Sequence, residues 1–297
     1  MEPGDLKVLL LGGTGQIGGE LRSTLAAFAE VVAPTRTELD AGRMEDVASA
    51  VARFAPGCVV NAAAYTRVDD AERNREAASV LNTQLPGTLA SACERLGVGL
   101  IHISTDYVFP GDAHCPYREH DATGPINWYG ETKLAGELAA LQACSRAVIV
   151  RTSWIYGRSG RNFFRTVLRQ AREKEELRVV DDQRGSPTWS RSVAVGISRI
   201  VHQLRSESPA WEVASGVYHM TAKGDTSWFG FAEHLLRSDP DRSAQKVQRL
   251  IPIAASDFPT LAKRPAYSVL SCDHLADRFG IALDHWQVQL EAAWSSH

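Results

Sequence analysis

The chain has 297 residues, a formal net charge of −3 and 23% charged residues, and it is long enough to bury a full core. It has no basic stripe and no block of like charge, so we expect neither a nucleic-acid partner nor a disordered tail. The five cysteines are scattered and never form Cys-x-x-Cys, which indicates reduced thiols rather than a disulfide framework or a zinc site. The N-terminal apolar run from Val8 to Leu11 is too short for a signal sequence or a membrane span. Together these features predict a cytoplasmic protein that does not bind membranes.

Strand and helix patterns alternate through the first half of the chain. Nearly unbroken apolar runs predict buried parallel strands at residues 6–11, 30–33, 58–61, 99–104 and 147–151. Helical patterns fall between them, first through Leu21 and Phe28 and then over 43–54, 76–96 and 129–144. This alternation predicts an α/β fold of the Rossmann type, in which helices cover both faces of a doubly wound parallel sheet.

The pattern loosens after Gly157. Helices are predicted at 162–174, 190–204 and 286–294, with short strands at 177–180, 216–220 and 250–253. We expect helix 190–204 and strand 216–220 to rejoin the main sheet. Residues 1–157 are therefore predicted to form the sheet domain, and residues 158–297 mainly a smaller C-terminal lobe whose segments interleave with it.

A glycine-rich turn joins the first strand to the first helix. Gly12, Gly15 and Gly18 give the pattern G-x-x-G-x-x-G, with Gln16 and Ile17 at the start of the helix. Glycines permit a tight turn and the close approach of a pyrophosphate, whose charge then faces the helix N-terminus. The alternative is a turn that serves only strand-to-helix packing. The strand–helix units that follow favour dinucleotide binding, which makes residues 1–157 an NAD(P)-binding domain.

The end of the second strand predicts which dinucleotide binds. Arg36 stands there, and a basic residue suits the 2′-phosphate of NADP. We therefore expect NADP(H) to be preferred and NAD(H) to be accepted, unless Arg36 points to solvent. Asp40 is a candidate for the adenine side. Small residues after the third strand let the backbone lie against a cofactor, and the candidate contacts in this stretch are Ala63, Ala64, Tyr65 and Thr66.

Tyr129 and Lys133 form the candidate proton-transfer pair. Residues four apart share one helix face, so the ammonium can sit near the phenol. A phenol titrates near about 10, and a neighbouring cation is expected to lower that pKa. The phenol can then give a proton to a substrate oxygen or take one from it. A tyrosine four residues before a lysine also arises by chance, and the surrounding motifs decide between the two interpretations.

The ordered motifs resemble those of a known family. Residues 12–18, 61–66 and 104–109, with Tyr129 and Lys133, are similar to an extended short-chain dehydrogenase/reductase. Further stretches narrow the resemblance to the dTDP-4-dehydrorhamnose reductase family, namely residues 127–137, 151–157, 182–188 and 264–265. The resemblance runs from residue 6 to residue 294. It implies NAD(P)H-dependent reduction of the C4 keto group of dTDP-4-dehydro-L-rhamnose to dTDP-L-rhamnose, with residues 158–297 forming mainly a substrate-binding lobe.

The resemblance also implies a role for each matching residue. Thr105 is expected to hydrogen-bond the substrate carbonyl, Tyr129 to protonate the developing alkoxide, and Lys133 to hold the nicotinamide ribose. The resemblance further implies that Trp154, Val68 and Asp106 contact the sugar ring of the dTDP-sugar. It implies that Arg264 contacts the diphosphate.

Two departures from the family pattern affect the expected sites. Tyr65 stands where relatives carry a histidine, which leaves its cofactor contact open. Some members form dimers that a metal bridges through glutamates. Here Glu20 is present, but Arg191 stands where another carboxylate is needed. We therefore expect no metal, and a homodimer stays open.

Two other functions share parts of this pattern. The non-catalytic regulatory subunit of methionine adenosyltransferase has the same fold and binds NADP and a partner protein, but the intact stretch 151–154 favours the reductase. An NDP-sugar epimerase or dehydratase is the second alternative, although a dehydratase needs a carboxylate pair after Thr105, where Asp106 stands alone. Single residues have structural alternatives too: Thr105 as a strand end, Trp154 as core and His102 as a satisfied buried residue.

Overall fold

The structure is a computed structural model that describes residues 6–205 and 208–295. Within these ranges the strands are β1 (Lys7–Leu11), β2 (Glu30–Val32), β3 (Cys58–Asn61), β4 (Gly99–Thr105), β5 (Ala147–Thr152), β6 (Ile155–Tyr156), β7 (Glu176–Val180), β8 (Arg184–Gly185), β9 (Thr188–Trp189), β10 (Gly216–His219), β11 (Thr226–Ser227) and β12 (Arg249–Ile253). The helices are α1 (Gln16–Ala26), α2 (Met44–Phe54), α3 (Val68–Ala71), α4 (Arg75–Ser79), α5 (Leu85–Leu96), α6 (Trp128–Ala143), α7 (Phe163–Glu173), α8 (Ser190–Leu204), α9 (Ser208–Ala214), α10 (Trp228–Arg237), α11 (Asp273–Phe279) and α12 (Trp286–Ser295). None of these helices has the length and apolar character needed to cross a membrane.

Six parallel strands form the central sheet, in the order β10-β5-β4-β3-β1-β2. β1 lies between β2 and β3, so the chain passes from β1 to β2 on one side and then crosses to β3 on the other. Leu9 of β1 pairs with Val32 on one side and with Val59 on the other. Open α/β sheets bind ligands outside the carboxyl ends of the strands at such a reversal. The predicted doubly wound fold is confirmed.

Helices cover both faces of the sheet because its central strands are apolar on both sides. In β1, Val8 and Leu10 belong to the core under α1 and α8, whereas Leu9 and Leu11 belong to the core under α2 and α5. Burying a side chain of this size contributes about 1.5–3 kcal/mol relative to exposure. The unbroken apolar run is therefore the pattern expected of a strand that is covered on both faces.

A smaller lobe with its own core lies beside the sheet. Helices α7, α10 and α12 pack around Phe164, Phe231 and Leu290, and the parallel strands β7 and β12 complete the lobe. The two parts interleave, because Ile197 of α8 lies in the core of the sheet and β10 pairs with β5. The division at residue 157 stays a prediction.

Some elements differ from those predicted. The helix predicted at 76–96 contains a π-helical turn, Val80–Gln84, between α4 and α5. In this turn the side chain of Asn82 accepts from the backbone N–H of Tyr65 at 2.8 Å and donates to the Tyr65 carbonyl at 3.1 Å. A contact between such distant residues leaves no local pattern in the sequence. Helices α10 and α11 also lie where no helix is predicted.

Candidate active site

A cavity of about 1080 Å³ opens at the carboxyl ends of the sheet strands. It extends from the glycine turn after β1, past the loops that follow β3 and β4, to aromatic residues of the second lobe. Most of the residues predicted to bind cofactor or substrate line this cavity: Gly12, Gly15, Gln16, Ile17, Arg36, Asp40, Ala63, Ala64, Thr66, Val68, Thr105, Asp106, Tyr129, Lys133 and Trp154. Motifs that are far apart in the chain therefore meet where the strand order reverses.

The glycine turn depends on two close backbone approaches. Gly12 has a φ of 77° and lies against the loop after β3, where a Cβ would come within 2.6 Å of Ala62 and Ala63. A Cβ on Gly18 would overlap the carbonyl oxygen of Gly12, so glycine lets α1 start this close to the turn. Gly15 precedes α1 without a side-chain cap, which leaves the N–H groups of the first turn without side-chain partners at the cavity wall. This arrangement fits a pyrophosphate.

Gly18→Ala is expected to weaken the binding of NADPH, because the added methyl group must displace the turn from the pyrophosphate. Losing one charge-assisted hydrogen bond, worth about 1.5–3 kcal/mol, would raise Kd about 10- to 150-fold. Gly19→Ala is the matched control, since a Cβ on Gly19 meets nothing within 4 Å. Fluorescence titration of both variants checks the prediction, and equal affinities would contradict it.

The loop after β2 brings two cations to one end of the cavity. The side chain of Arg36 is 89% exposed and lies 3.8 Å from the Asp40 carboxylate. Arg43 also lines the cavity and pairs with Asp46 at 3.0 Å. The sequence reasoning missed Arg43, although a second basic residue in the same loop was a readable signal. Two guanidinium groups suit a phosphate better than they suit the ribose hydroxyls of NAD.

Three of the residues predicted to bind cofactor or substrate do not line the cavity, namely Gly18, Tyr65 and Arg264. The buried Tyr65 phenol donates to Asp70 and lies 3.2 Å from the guanidinium of Arg67. The guanidinium of Arg264 pairs with Asp69 at 2.7 Å. Both side chains are held by these neighbours, so the structure does not bring either of them to the cavity. Their contacts with cofactor and substrate stay predictions.

Thr105 ends β4 with its hydroxyl at the cavity. The hydroxyl donates to Oδ1 of Asp106 at 3.0 Å and accepts from the backbone N–H of Tyr107 at 3.2 Å. Burial raises the pKa of Asp106 to about 7, although the hydrogen bond from Thr105 opposes the rise. Its second oxygen, Oδ2, is buried with no hydrogen-bond partner among the described residues. A hydroxyl and a carboxyl group are therefore placed side by side for a polar ligand.

Tyr129 lies in the first turn of α6, which Asn127 caps by accepting from the N–H of Gly130 at 2.8 Å. The ring packs edge-on against Tyr107, with 5.7 Å between the ring centroids. Burial raises the pKa of the Tyr129 phenol to about 12. The expectation of a lowered pKa is therefore wrong for this structure, because burial disfavours the phenolate.

The amine of Lys133 is directed at β4. Its Nζ donates to the carbonyl of Ile103 at 2.6 Å and lies 3.3 Å from Nε2 of His102. The residue is 1% exposed, and burial lowers its pKa to about 8 despite the neighbouring Glu137 carboxylate. Helical spacing does put Lys133 and Tyr129 at the same cavity, but the ends of the two side chains have different partners.

Trp154 and Trp228 form an aromatic wall of the cavity. Their rings are parallel with 3.5 Å between the centroids, and Phe163 packs behind Trp228 at 4.6 Å. Trp154 has a φ of 46°, an uncommon left-handed conformation for a residue other than glycine. The absence of a side chain at Gly185 makes room for its indole. The sequence reasoning missed Trp228, because it belongs to the unpredicted helix α10.

Residues of the second lobe also reach the glycine turn. Nδ2 of Asn162 donates to Oε1 of Gln16 at 2.7 Å, and Gly160 packs against the same glutamine. Arg161, next to this bridge, lines the cavity. No local pattern predicts these contacts, because they join residues from two distant parts of the chain.

Three acidic side chains in this part of the molecule have protein partners. Asp69 pairs with Arg264, and Glu72 accepts from the backbone N–H of Trp128 at 2.7 Å. Glu20 of α1 pairs with Arg191 of α8 at 3.2 Å. In residues 6–205 and 208–295, no three histidine, cysteine, aspartate or glutamate side chains are grouped so that they could hold a metal ion.

Comparison with known proteins identifies the family of this chain. Residues 6–296 match the family described as RmlD substrate binding domain. The chain is similar to the dTDP-4-dehydrorhamnose reductase of Burkholderia thailandensis, with 46% identity over 285 residues that cover 95% of this chain and 96% of that protein. It is 39% identical over 288 residues to the enzyme of the same name from Escherichia coli, which covers 95% of each chain. The structure of dTDP-4-dehydrorhamnose reductase from Bacillus anthracis in complex with NADP matches with a TM-score of 0.88 and 33% identity, covering 98% of this chain and 99% of that one. The chain therefore belongs to the dTDP-4-dehydrorhamnose reductase family.

Proposed function

We propose that the protein reduces the C4 keto group of dTDP-4-dehydro-L-rhamnose to dTDP-L-rhamnose, with NADP(H) preferred over NAD(H). The observation that carries this proposal is that Thr105, Tyr129 and Lys133 line the same cavity as the glycine turn. Relatives with the name of this reductase match the chain over nearly its whole length, and one of them was solved with NADP. The dinucleotide, when bound, supplies the hydride.

The cavity wall offers groups for each part of the dinucleotide. The N–H groups at the start of α1, which no side chain caps, suit the pyrophosphate. Arg36 and Arg43 suit the 2′-phosphate, since a guanidinium matches phosphate oxygens in a two-point contact. Ala63 and Ala64 line the cavity between these ends, and their small side chains leave room for the dinucleotide. Lys133 lies towards the opposite end, where its amine can donate to a hydroxyl of the nicotinamide ribose.

Tyr129 is the proton donor in this proposal. With a pKa of about 12, its phenol is protonated at neutral pH and can donate to the substrate oxygen as the ketone becomes an alkoxide. An alkoxide is a stronger base than a phenolate, so this transfer runs downhill. The Thr105 hydroxyl can turn from Asp106 to the substrate carbonyl and orient it.

The substrate is assigned to the part of the cavity between the two lobes. Val68, Asp106 and Trp154 line this part and are proposed to contact the sugar ring. Arg264 is proposed to meet the diphosphate, for which it would exchange its present partner Asp69. All of these residues come from one chain, so the proposal holds for a monomer or a homodimer. We place the reaction in the cytoplasm, with a nucleotide sugar as the partner.

Arg36→Ala is expected to lower the preference for NADPH over NADH, measured as the ratio of the two kcat/KM values. One charge-assisted hydrogen bond corresponds to about a 10- to 150-fold change in this ratio. Because Arg36 is exposed and salt screens its charge, we expect a change near the lower end of that range. Arg53→Ala is the control, because this exposed arginine stacks over Phe54 and lies away from the cavity. A wild-type ratio near one that the Arg36 substitution leaves unchanged would contradict the assignment.

NADPH oxidation measured with a panel of 4-keto nucleotide sugars tests the proposed function. We expect the highest kcat/KM with dTDP-4-dehydro-L-rhamnose, and no oxidation with dTDP-glucose, which has no ketone. A protein that binds NADPH but oxidises it with no member of the panel, while changing the kinetics of a partner enzyme, would be a regulatory subunit instead.

A further inference from the structure

Three buried side chains form a connected row that ends at the cavity, which Lys133 lines. Asn61 ends β3, His102 lies in β4 and Lys133 lies in α6, and their exposures are 0%, 0% and 1%. Nδ2 of Asn61 is 3.1 Å from Nδ1 of His102, and Nε2 of His102 is 3.3 Å from Nζ of Lys133. Both ring nitrogens of His102 therefore have defined neighbours. One of these neighbours is the Lys133 amine, which is proposed to bind the nicotinamide ribose.

The Asn61 amide determines which nitrogen of His102 carries the proton. Its Oδ1 accepts from the backbone N–H of Ala63 at 3.1 Å, so its NH₂ group faces His102. Since an NH₂ group only donates, Nδ1 of His102 must accept and carries no hydrogen. Burial, helped by the charge of Lys133, holds the pKa of His102 well below its ordinary value, so the ring is neutral. Its single N–H is then on Nε2.

The Nε2–H of His102 points at the amine of Lys133. An uncharged amine can accept this hydrogen with its lone pair, whereas an ammonium has three donors and no acceptor. One Lys133 donor is used by the Ile103 carbonyl at 2.6 Å. In the ammonium form, a second N–H of Lys133 would point at the Nε2–H of His102, and two donors would face each other. To avoid this, His102 would have to move its hydrogen to Nδ1, which would break its bond with Asn61. The contact therefore fits the uncharged amine.

The other titratable groups around Lys133 do not cancel the preference of this contact for the uncharged amine. Glu137, one turn further along α6, favours the ammonium, but Arg151 of β5 pairs with it at 2.7 Å. Tyr129, one turn earlier, keeps its proton, and the buried Asp106 is next to Tyr129. His102 is therefore the close neighbour of Lys133 that disfavours the ammonium form.

We propose that His102 is a positioning residue, whose Nε2–H holds the Lys133 amine in place and favours its uncharged form in the cofactor-free protein. Lys133 would then change its charge near neutral pH, where an ordinary lysine stays an ammonium. The catalytic meaning of this contact rests on the proposed role of Lys133. The contact itself can be tested without substrate.

NMR of ¹³Cε-labelled lysine in the cofactor-free protein measures the charge directly, and the Lys133 resonance is the one that Lys133→Met removes. The wild-type resonance should titrate with a midpoint of about 8. His102→Asn can keep an acceptor for Asn61 but has no donor near Lys133, so the midpoint should rise by about 0.4–1.1 pH units, equivalent to one hydrogen bond. His102→Gln can present an oxygen to the amine and should raise the midpoint at least as far.

A wild-type midpoint at the ordinary lysine value of 10.5, or a midpoint that both substitutions leave unchanged, would overturn the proposal. If neither variant folds, ¹⁵N NMR of wild-type His102 decides, because the Nε2–H tautomer supports the proposal and the Nδ1–H tautomer overturns it. None of these measurements uses substrate. Their failure would therefore leave the reductase assignment standing, and failure of the reductase assay would leave the NMR result intact.

Discussion

Replacing Tyr129 by phenylalanine should lower kcat by about 10²- to 10⁴-fold, which is the usual contribution of general acid catalysis. The substitution removes the hydroxyl that is proposed to protonate the alkoxide and keeps the ring that packs against Tyr107. Folding and NADPH affinity should therefore stay close to those of the wild type. Single-turnover reduction and a separate NADPH titration measure the two effects independently.

The matched control for this substitution is Tyr156→Phe. Tyr156 is 1% exposed in the core of the second lobe, and its hydroxyl has no hydrogen-bond partner among the described residues. It does not line the cavity, so loss of its hydroxyl should leave kcat unchanged. Near-normal kcat in Tyr129→Phe, or an equal loss in both variants, would remove Tyr129 from its proposed role.

Replacing Arg151 by methionine should reduce the free energy of unfolding by about 3–5 kcal/mol, the usual cost of leaving one partner of a buried ion pair alone. Nε and Nη2 of Arg151 donate to the Glu137 carboxylate at 3.0 and 2.7 Å, and the two side chains are 4% and 1% exposed. Without the guanidinium, the carboxylate must be buried unpaired or take up a proton. Urea unfolding followed by circular dichroism gives the change.

Two further variants separate the ion pair from general damage to the core. Arg169→Met breaks the exposed pair with Glu173, whose side chains are 61% and 52% exposed, and should cost no more than about 0.5 kcal/mol. The double variant Arg151→Met, Glu137→Leu removes both charges and should recover most of the lost stability. A double variant that is no more stable than Arg151→Met alone would show that packing, not the unpaired charge, causes the loss.

Local sequence patterns predicted the sheet because its strands are buried on both faces and the turn after β1 needs glycine. They failed to identify α10, although its buried residues Phe231, Ala232, Leu235 and Leu236 follow the helical period. A local signal was present, since Ser227 caps this helix by accepting from the N–H of Gly230 at 2.9 Å. The π-helical turn is different, because the bonds of Asn82 to Tyr65 depend on a contact that only the folded chain makes.

For the active site, spacing along one helix placed Tyr129 and Lys133 at the same cavity but did not predict their electrostatics. The amine of Lys133 is held by Ile103 and His102, which come from β4. The phenol is buried, and burial outweighs any lowering of its pKa by a cation. Both effects depend on neighbours from other elements. The same reason explains why Trp228, brought to the cavity by an unpredicted helix, was missed.

In the proposed reaction, this cavity brings a hydride and a proton to the C4 keto group of a dTDP-sugar. NADPH that carries deuterium at C4 of the nicotinamide, with each stereoisomer used in turn, tests it directly when the sugar product is examined by proton NMR. One of the two isomers should place deuterium at C4 of dTDP-L-rhamnose, and Tyr129→Phe should form this product far more slowly. A product without deuterium at C4 from either isomer, or no oxidation of NADPH with this substrate, would rule out the proposed hydride transfer.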